Sequence, residues 1–481
     1  MNRAPNISLR WTGAALLSLC TALPAVAEPP LTWPDAQVRL GIANQVARQR
    51  ADAQATAKVK DCARRAKDLI AHGRSAAAER CIRDAETAAG LDPGGRSMAG
   101  LPIYHPTAAM ADQVNRLRDA LDQALRAANR DATRQVIRQM RQVLGDQAGV
   151  PETLCPGRRD APRGAIAQRQ AVELFLAALD QDKAQLSLVA SGRPVGDNFV
   201  RFYAELVAAC CEIRPAIQAH RPDQLPHLDQ LVAGACFLMT ALQQPPGHMP
   251  FPDPKNKDTK GQARWVVSVA DDGGSQFDTG EAGAALLQAG VTYANADWTT
   301  AGLKAADWAI AQPCVHNFTY NAISVYLLAE AFRATKNRKY LDAALAKWDL
   351  GLAPAQVDNG RWIDPHNART AYHVIILRGI ATLALVCPDD YADRRDVLKE
   401  STAAGVKSLL DEFDRLGVTN TGYALPVLLS EQKLNPAADS RLQAAIDRTA
   451  AAILASCIRD GKPCMGASPP AVAALARLAR D

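Results

Sequence analysis

The stretch WIDPHNARTAYH, residues 362–373, concentrates side chains that can transfer protons or bind anions. His373 and Tyr372 are candidates for a general base, and Asp364 is a candidate for an acid or a base. Arg369 precedes an apolar run that predicts a helix, and the dipole at a helix start disfavours a positive charge. Arg369 therefore needs an anion, either Asp364 or a carboxylate on a substrate. His373 is equally compatible with a satisfied histidine in the core.

A second cluster, DTGE, stands immediately before another apolar helical pattern. Asp278 and Glu281 have the spacing of a capping box, and the same spacing places two carboxylates on one side of a helix mouth. One residue can serve both purposes, so both interpretations stay open.

Asparagine marks the start of a third apolar helix, in HNFTYN. Asn317 is a good N-cap and also a candidate ligand for a substrate. Asn321 lies one helical turn further along, where capping does not explain it. Both are predicted binding residues.

The remaining binding candidates are imidazole and aromatic side chains in the same loops. Each aromatic side chain, taken singly, is compatible with packing, whereas together they could line a cleft. His366 and His373 lack the spacing of a zinc-binding helix, and no P-loop or dinucleotide fingerprint is present, so no metal and no cofactor are expected. These candidates are His316, Trp362, His366, Phe277 and Tyr423.

Helical patterns must position these side chains, because the chain after residue 35 is rich in Ala, Leu, Arg, Gln and Asp. The best strand candidate is short, residues 264–270. Four apolar helices each precede an amphipathic one, in a weak repeat of about 40–50 residues. In one amphipathic helix, Tyr340, Leu341, Ala344, Leu345 and Trp348 form the apolar stripe, with Lys347 mostly off it.

Alternation of an apolar inner helix with an amphipathic outer helix predicts an all-α fold, an α/α toroid. About six helical hairpins would form the ring, closed or incomplete, with an N-terminal helical extension. A stacked solenoid has the same alternation and remains the competitor. In a toroid the loops that enter inner helices gather at one end, and these are the loops rich in carboxylates, amides, His and aromatics.

Composition shifts divide the chain into four predicted segments: a signal peptide 1–27, a helical hairpin extension 28–105, a helical connector 106–165 and the toroid domain 166–481. A positive start, an apolar stretch and AVA before Glu28 favour cleavage after Ala27. We therefore expect a periplasmic or secreted protein. No later apolar run approaches the ~20 residues that span a bilayer.

Without residues 1–27 the chain has 53 Lys and Arg against 50 Asp and Glu, a net charge of +3 that argues against a nucleic-acid surface. Ten cysteines remain, an even number for an oxidising compartment. Two disulfides are expected: Cys62–Cys81 across a helical hairpin, and Cys457–Cys464 across a short loop.

The repeats over about 166–481, with the loops DDGGSQFDTGE, HNFTYN and WIDPHNARTAYH, resemble α/α-toroid enzymes acting on carbohydrates. These are six-hairpin glycosidases, toroidal polysaccharide lyases and sugar epimerases. The resemblance is architectural, and it implies an exported enzyme whose partner is a polysaccharide or oligosaccharide.

Two chemistries are compatible with this resemblance. Lyase or epimerase chemistry on uronic acids is slightly favoured: Arg369 and Asn317 would neutralise the substrate carboxylate, and His373 or Tyr372 would remove the α-proton. In a glycoside hydrolase, Asp364 and one of Asp278 or Glu281 would be acid and base. The alternative is a non-catalytic helical scaffold that binds cell-wall glycan or a protein partner.

Overall fold

The computed structural model describes most of the chain after residue 51. The described ranges are 52–92, 96–97, 108–144, 168–195, 200–257, 263–266, 274–363, 370–416, 418, 421–436, 440–459, 462–463 and 469–478, with isolated positions between 36 and 47. The predicted signal peptide and Cys464 of the expected Cys457–Cys464 pair lie outside them, as do Asp364, His366 and Arg369.

The all-α class is confirmed: the described residues form 17 α-helices. The first nine are α1 (Ala53–Ala71), α2 (Ser75–Ala88), α3 (Ala108–Arg126), α4 (Arg130–Leu144), α5 (Gln168–Gln181), α6 (Lys183–Ala190), α7 (Val200–His220), α8 (Leu225–Leu242) and α9 (Gly274–Thr292). The others are α10 (Ala296–Ala311), α11 (Phe318–Thr335), α12 (Arg338–Gly351), α13 (Thr370–Val386), α14 (Ala392–Leu416), α15 (Thr421–Leu434), α16 (Ser440–Cys457) and α17 (Pro469–Leu478).

Strands are confined, within the same residues, to three two-stranded antiparallel ribbons. They pair β1 (Leu91–Asp92) with β2 (Arg96–Ser97), β3 (Phe251–Lys257) with β4 (Ala263–Val266), and β5 (Ile458–Arg459) with β6 (Lys462–Pro463). The strand expected at 264–270 thus corresponds to β4, whose partner β3 the pattern did not predict.

The chain divides into two compact units, Met1–Gln113 and Val114–Asp481, with the boundary inside α3. In the first unit, α1 packs against α2. Asp52 caps α1 by accepting a hydrogen bond of 2.8 Å from the Ala55 amide. Val59, Cys62 and Ala66 form a buried stripe on α1, because their spacing puts them on one helical face.

The expected Cys62–Cys81 disulfide is not present, and both thiols are free and buried. Each lies in the apolar stripe of its helix, where a thiol packs as a small apolar side chain. Burial raises the pKa of Cys62, with a further rise from the neighbouring Cys81. The symmetric spacing of Cys62 and Cys81 about the turn therefore reflects the packing of the apolar faces of α1 and α2.

In the second unit six helices are buried on most of their faces, and we call them the core helices: α7, α9, α11, α13, α15 and α17. Each packs against the next in this order, and α17 packs against α7. Flanking helices pack against them: α8 on α7, α10 on α9, α12 on α11, α14 on α13, α16 on α15, and α5 on α17.

The flanking helix α12 shows how sequence produces this arrangement. Asn337 caps its start by accepting a hydrogen bond of 3.1 Å from the Lys339 amide. The whole predicted apolar stripe is buried, including its two aromatic members, Tyr340 and Trp348. Lys347 is buried as well, contrary to expectation, because its Nζ donates to the Gln312 carbonyl at 2.6 Å. A long side chain reaches a backbone acceptor that periodicity does not reveal.

Two glycines bring the neighbouring core helices close to α11. A Cβ at Gly280 of α9 would lie 2.2 Å from Ile323 Cγ2, and a Cβ at Gly379 of α13 would lie 2.4 Å from the Ala322 carbonyl oxygen. Both distances are shorter than van der Waals contact, so the backbones meet only because no side chain intervenes. The helix α11 is therefore held between two glycine contacts.

Length and hydropathy identify one candidate membrane span among the described residues, Pro222–Leu242. Most of this segment is α8, which packs against α6 and α7 and buries Leu228, Leu231 and Leu238. That packing is typical of a helix in a folded core.

Candidate functional site

Charged and hydroxyl-bearing side chains from four core helices meet in one cluster. We call it the charge cluster, and its members are Arg201 and Glu205 on α7, Asp278 and Glu281 on α9, Arg378 on α13 and Tyr423 on α15. The four helices contribute these groups from different parts of the chain, so the cluster exists only in the folded state.

Local spacing explains how single helices present two members each. Arg201 and Glu205 are four residues apart, and Asp278 and Glu281 are three apart, so each pair lies on one helical face. Arg201 and Tyr423 lie in the first turn of their helices, whereas the three carboxyl groups lie in the second or third turn. The field of the helix dipole falls off within the first turn, so the two arginines are the main compensation for the carboxylates.

Asp278 is buried at 1% exposure and forms an ion pair with Arg201 through Oδ1. Burial raises the pKa of Asp278, while the Arg201 charge opposes the rise. The other oxygen, Oδ2, is buried and has no hydrogen-bond partner among the described residues. Such an acceptor is costly, so a water molecule or a substrate group would satisfy it.

Glu281 has both carboxylate oxygens engaged. The Arg378 guanidinium donates to both of them through one nitrogen, Nη1, at 2.9 and 3.1 Å. The same guanidinium lies 4.0 Å from the ring centroid of Tyr326 and 5.1 Å from that of Tyr423. Both oxygens of Glu281 are therefore partnered within the cluster.

Glu205 has a different environment from the other two carboxyl groups. It accepts a hydrogen bond of 2.5 Å from the Tyr423 hydroxyl and has no guanidinium partner within ion-pair distance among the described residues. Burial raises the pKa of Glu205, and the negative charge of Glu281 raises it further. Glu205 is thus the carboxyl group of the cluster best placed to hold and donate a proton.

Two aromatic rings border the charge cluster on the Arg201 side. The Arg201 guanidinium lies 4.3 Å from the ring centroid of Phe277, and Phe277 meets Tyr320 edge to face at 5.9 Å. Both rings are partly exposed. A flat apolar surface next to a cation and carboxyl groups is suited to a polar ring-shaped ligand.

Four residues proposed from sequence therefore belong to this region: Asp278, Glu281, Phe277 and Tyr423. Three of them are direct members of the charge cluster, and Phe277 lies against Arg201. Their roles in binding or catalysis remain proposals.

The asparagines and His316 lie around the loop that precedes α11. Asn317 caps α11 through Thr319, and Asn321 accepts from the Val315 amide at 2.9 Å and donates to its carbonyl at 2.8 Å. His316 pairs with Asp122 of α3 at 3.2 Å. These three side chains hold the loop, while the Asn317 Nδ2 is buried and has no hydrogen-bond partner among the described residues.

His373 and Trp362 lie together, away from the charge cluster. His373 Nε2 is 2.9 Å from the Gly405 carbonyl of α14, and the imidazole lies 5.5 Å from the Trp362 ring. Trp362 donates through Nε1 to the Leu352 carbonyl at 3.1 Å. Burial lowers the pKa of His373 well below its ordinary value, and Arg361 lowers it further.

The neighbouring Tyr372 is partly buried. Asp364, His366 and Arg369 belong to the segment before α13 that lies outside the described residues. The structure therefore locates His373 and Tyr372 from the opening stretch but says nothing about those three.

Sequence reasoning missed Arg201, Glu205 and Arg378. Glu205 and Arg378 are single charges inside otherwise apolar runs, FYAELVAACC and VIILRGIATLAL. A lone charge on a helix that is apolar all round must find a buried partner, and this was the available signal. The sequence does not identify these partners, because Tyr423 and Glu281 lie on helices far away in the chain.

No protein-family model matches the chain, and no curated protein matches it in sequence. In the part of the chain that the structure describes, no group of three or more His, Cys, Asp or Glu side chains could hold a metal ion. The geometry of the charge cluster is therefore the basis for a functional proposal.

Proposed function

We propose that the second unit is an α/α toroid of six helical hairpins. The support is the order of neighbours: the core helices follow one another from α7 to α17, and α17 returns to α7. Each core helix also has one flanking partner, with α5 completing the last pair. In such a ring the charge cluster lies on the inner side, where four core helices converge.

Within this fold we propose a carbohydrate-active enzyme that processes a polysaccharide or oligosaccharide by glycoside hydrolysis. The observation that carries the proposal is the contrast between Glu205, whose pKa burial raises and which has no guanidinium partner among the described residues, and Asp278, which forms an ion pair with Arg201. Carboxyl groups whose environments separate their pKa values are the requirement for acid and base roles at one bond.

In this mechanism Glu205 donates a proton to the leaving oxygen of the scissile bond, and the Tyr423 hydroxyl positions it. Asp278 is the opposing carboxylate: its Oδ2, which has no hydrogen-bond partner among the described residues, takes a proton from a water molecule as that water bonds to the anomeric carbon and the glycosidic bond breaks. Arg201 pairs with Asp278 and opposes the rise that burial causes in the pKa of Asp278, and the Glu281–Arg378 pair joins the helices that carry the other groups. Phe277 and Tyr320 provide the surface for the sugar ring.

The lyase or epimerase expectation depended on Arg369, Tyr372 and His373. His373 is directed to the Gly405 carbonyl of a flanking helix, so the proposed proton transfer is assigned to the carboxyl groups instead. A scaffold that binds glycan without turnover is the remaining alternative. Export to the periplasm or exterior remains part of the proposal, on the strength of residues 1–27.

The test is a panel of polysaccharides, assayed in parallel for new reducing ends and for ultraviolet absorbance of unsaturated uronate. Hydrolysis predicts reducing ends without the absorbance. Glu205→Gln should lower kcat by about 100-fold or more, because general acid catalysis contributes on this scale.

The matched control is Glu431→Gln, since Glu431 is a buried carboxyl group of α15 whose pKa burial also raises, and it hydrogen-bonds only locally, to Asn435. This control should retain activity. Unsaturated products would show that the reaction is an elimination and not a hydrolysis. Glycan binding without either product would favour the scaffold.

A further inference from the structure

Arg201 differs from the other arginine of the charge cluster in how its guanidinium is used. Arg378 is 15% exposed, and its Nη1 donates to both carboxylate oxygens of Glu281. Arg201 is 35% exposed and contacts Asp278 through Nε alone. Its two terminal amino groups make no hydrogen bond to any described residue.

The exposed edge of this guanidinium is fixed in position. Asp278 holds Nε, and the Phe277 ring lies 4.3 Å below the guanidinium carbon. An arginine that is held flat on a ring presents its terminal N–H groups in a fork matching two oxygens of a planar carboxylate. Binding a carboxylate there would cost little side-chain entropy of Arg201, because its guanidinium is already ordered.

Charge balance in the cluster does not oppose an anion at this edge. The cluster pairs two guanidinium groups with Asp278 and Glu281, and Glu205 is the third carboxyl group, which burial favours in its neutral form. A neutral Glu205 leaves the cluster without excess negative charge. The partly exposed Tyr320 next to Phe277 extends the surface on which the ring carrying the carboxylate would lie.

We propose that Arg201 binds the carboxylate of an acidic sugar residue, so that the substrate is a uronic-acid-containing glycan. Phe277 and Tyr320 contact the sugar ring, and the terminal amino groups of Arg201 donate to its two carboxylate oxygens. This inference rests on the proposed carbohydrate-binding role of the cluster and not on its catalytic step. It assigns the carboxylate to Arg201 on α7, a helix distant in sequence from Arg369.

The experiment measures binding by calorimetry with oligogalacturonate, the matching neutral oligogalactose and a sulfated oligogalactose. The wild-type protein should bind the uronate at least about 10-fold more tightly than the neutral sugar, as a charge-assisted bidentate contact allows. Arg201→Lys keeps the charge beside Asp278 but loses the fork, so it should remove most of that preference.

Arg333→Lys is the matched control. Arg333 pairs with the buried Glu330 at 2.7 and 3.0 Å and is 46% exposed, so this variant also weakens a guanidinium–carboxylate pair, outside the charge cluster. It should leave the preference for uronate unchanged. Circular dichroism of both variants checks that a lost preference does not reflect unfolding.

The proposal is overturned if the neutral sugar binds as tightly as the uronate, if Arg201→Lys keeps the preference, or if the sulfated sugar binds best. Failure of the hydrolase proposal looks different. Uronate binding that depends on Arg201 without any turnover would contradict the hydrolase proposal and support the uronate site. Turnover of neutral glycan that depends on Glu205 would support the hydrolase proposal and contradict the uronate site.

Discussion

The Arg378 guanidinium donates to both carboxylate oxygens of Glu281, at 2.9 and 3.1 Å, and so joins α13 to α9. Both helices pack against α11, and Tyr326 of α11 lies against the guanidinium at 4.0 Å. One ion pair therefore ties three successive core helices together. Its two partners are 15% and 5% exposed, so neither charge is well hydrated if the other is removed.

We predict that Arg378→Met destabilises the protein by about 3–5 kcal/mol, because it leaves Glu281 buried without a counter-charge. The double variant Arg378→Met with Glu281→Gln should recover part of that loss, since no buried charge remains. Urea unfolding followed by circular dichroism gives both values. Arg221→Met, at an exposed pair with Glu173, serves as the control and should leave the unfolding midpoint nearly unchanged.

A second prediction concerns the pH dependence of stability through Glu205. Its folded pKa is raised, so the stability it contributes is complete below the unfolded pKa of about 4.3 and is lost as pH rises through the folded pKa. Glu205→Gln cannot ionise and should escape this loss. The free energy of unfolding of the variant relative to wild type should therefore increase with pH, in urea titrations between pH 4 and 9.

Equal pH dependence in the two proteins would mean that folding does not raise the pKa of Glu205. That result would also remove Glu205 as the proton donor of the proposed hydrolysis. Tyr423→Phe provides a companion measurement, because it removes the 2.5 Å hydrogen bond to Glu205 while keeping the ring.

A third prediction concerns His373, whose folded pKa is depressed by burial. Its contribution to stability is complete above the unfolded pKa of about 6.5 and is lost as pH falls towards the folded pKa, at up to about 1.4 kcal/mol per pH unit. His373→Gln keeps a donor for the Gly405 carbonyl and should flatten this slope between pH 7.5 and 5.5. His227→Gln on α8 should leave the slope in place.

A fourth prediction concerns the glycine contact between α9 and α11. Gly280→Ala puts a methyl group where Ile323 Cγ2 lies 2.2 Å away, and we expect a loss of about 1–3 kcal/mol from overpacking. Ile323→Ala removes the obstructing atom, so the two substitutions together should cost less than the sum of their separate effects. A double-mutant cycle in urea measures this coupling, and strict additivity would show that the contact is not tight.

The all-α class could be predicted because long stretches lack strand patterns and carry helical periodicity. The alternation of apolar and amphipathic helices was also readable, and α11 and α12 show it clearly in their burial. Asp278, Glu281, Phe277 and Tyr423 were found from sequence because each is a reactive or aromatic side chain at the mouth of an apolar helix. Such positions are visible without any knowledge of partners.

The rest of the charge cluster was not predictable for a physical reason. Glu205 and Tyr423 are hydrogen-bonded although they lie 218 residues apart in the sequence. No local motif spans such a distance, so neither periodicity nor spacing connects the two residues. Asn317, Asn321 and His316 were predicted to bind substrate because they are polar and gathered before α11, and that role stays a prediction. Their hydrogen bonds go to the loop backbone and to Asp122, which only tertiary structure reveals.

The packing of α17 against α5, α7 and α15 has a consequence for biosynthesis. Helices α5 and α7 are translated long before Pro469–Leu478, yet they bury apolar surface against it. A nascent chain that ends at α16 must leave these faces uncovered, so the second unit cannot complete its core while synthesis is in progress. Closing contacts over so long a stretch is slow, and during that interval the uncovered helices are natural targets for chaperones.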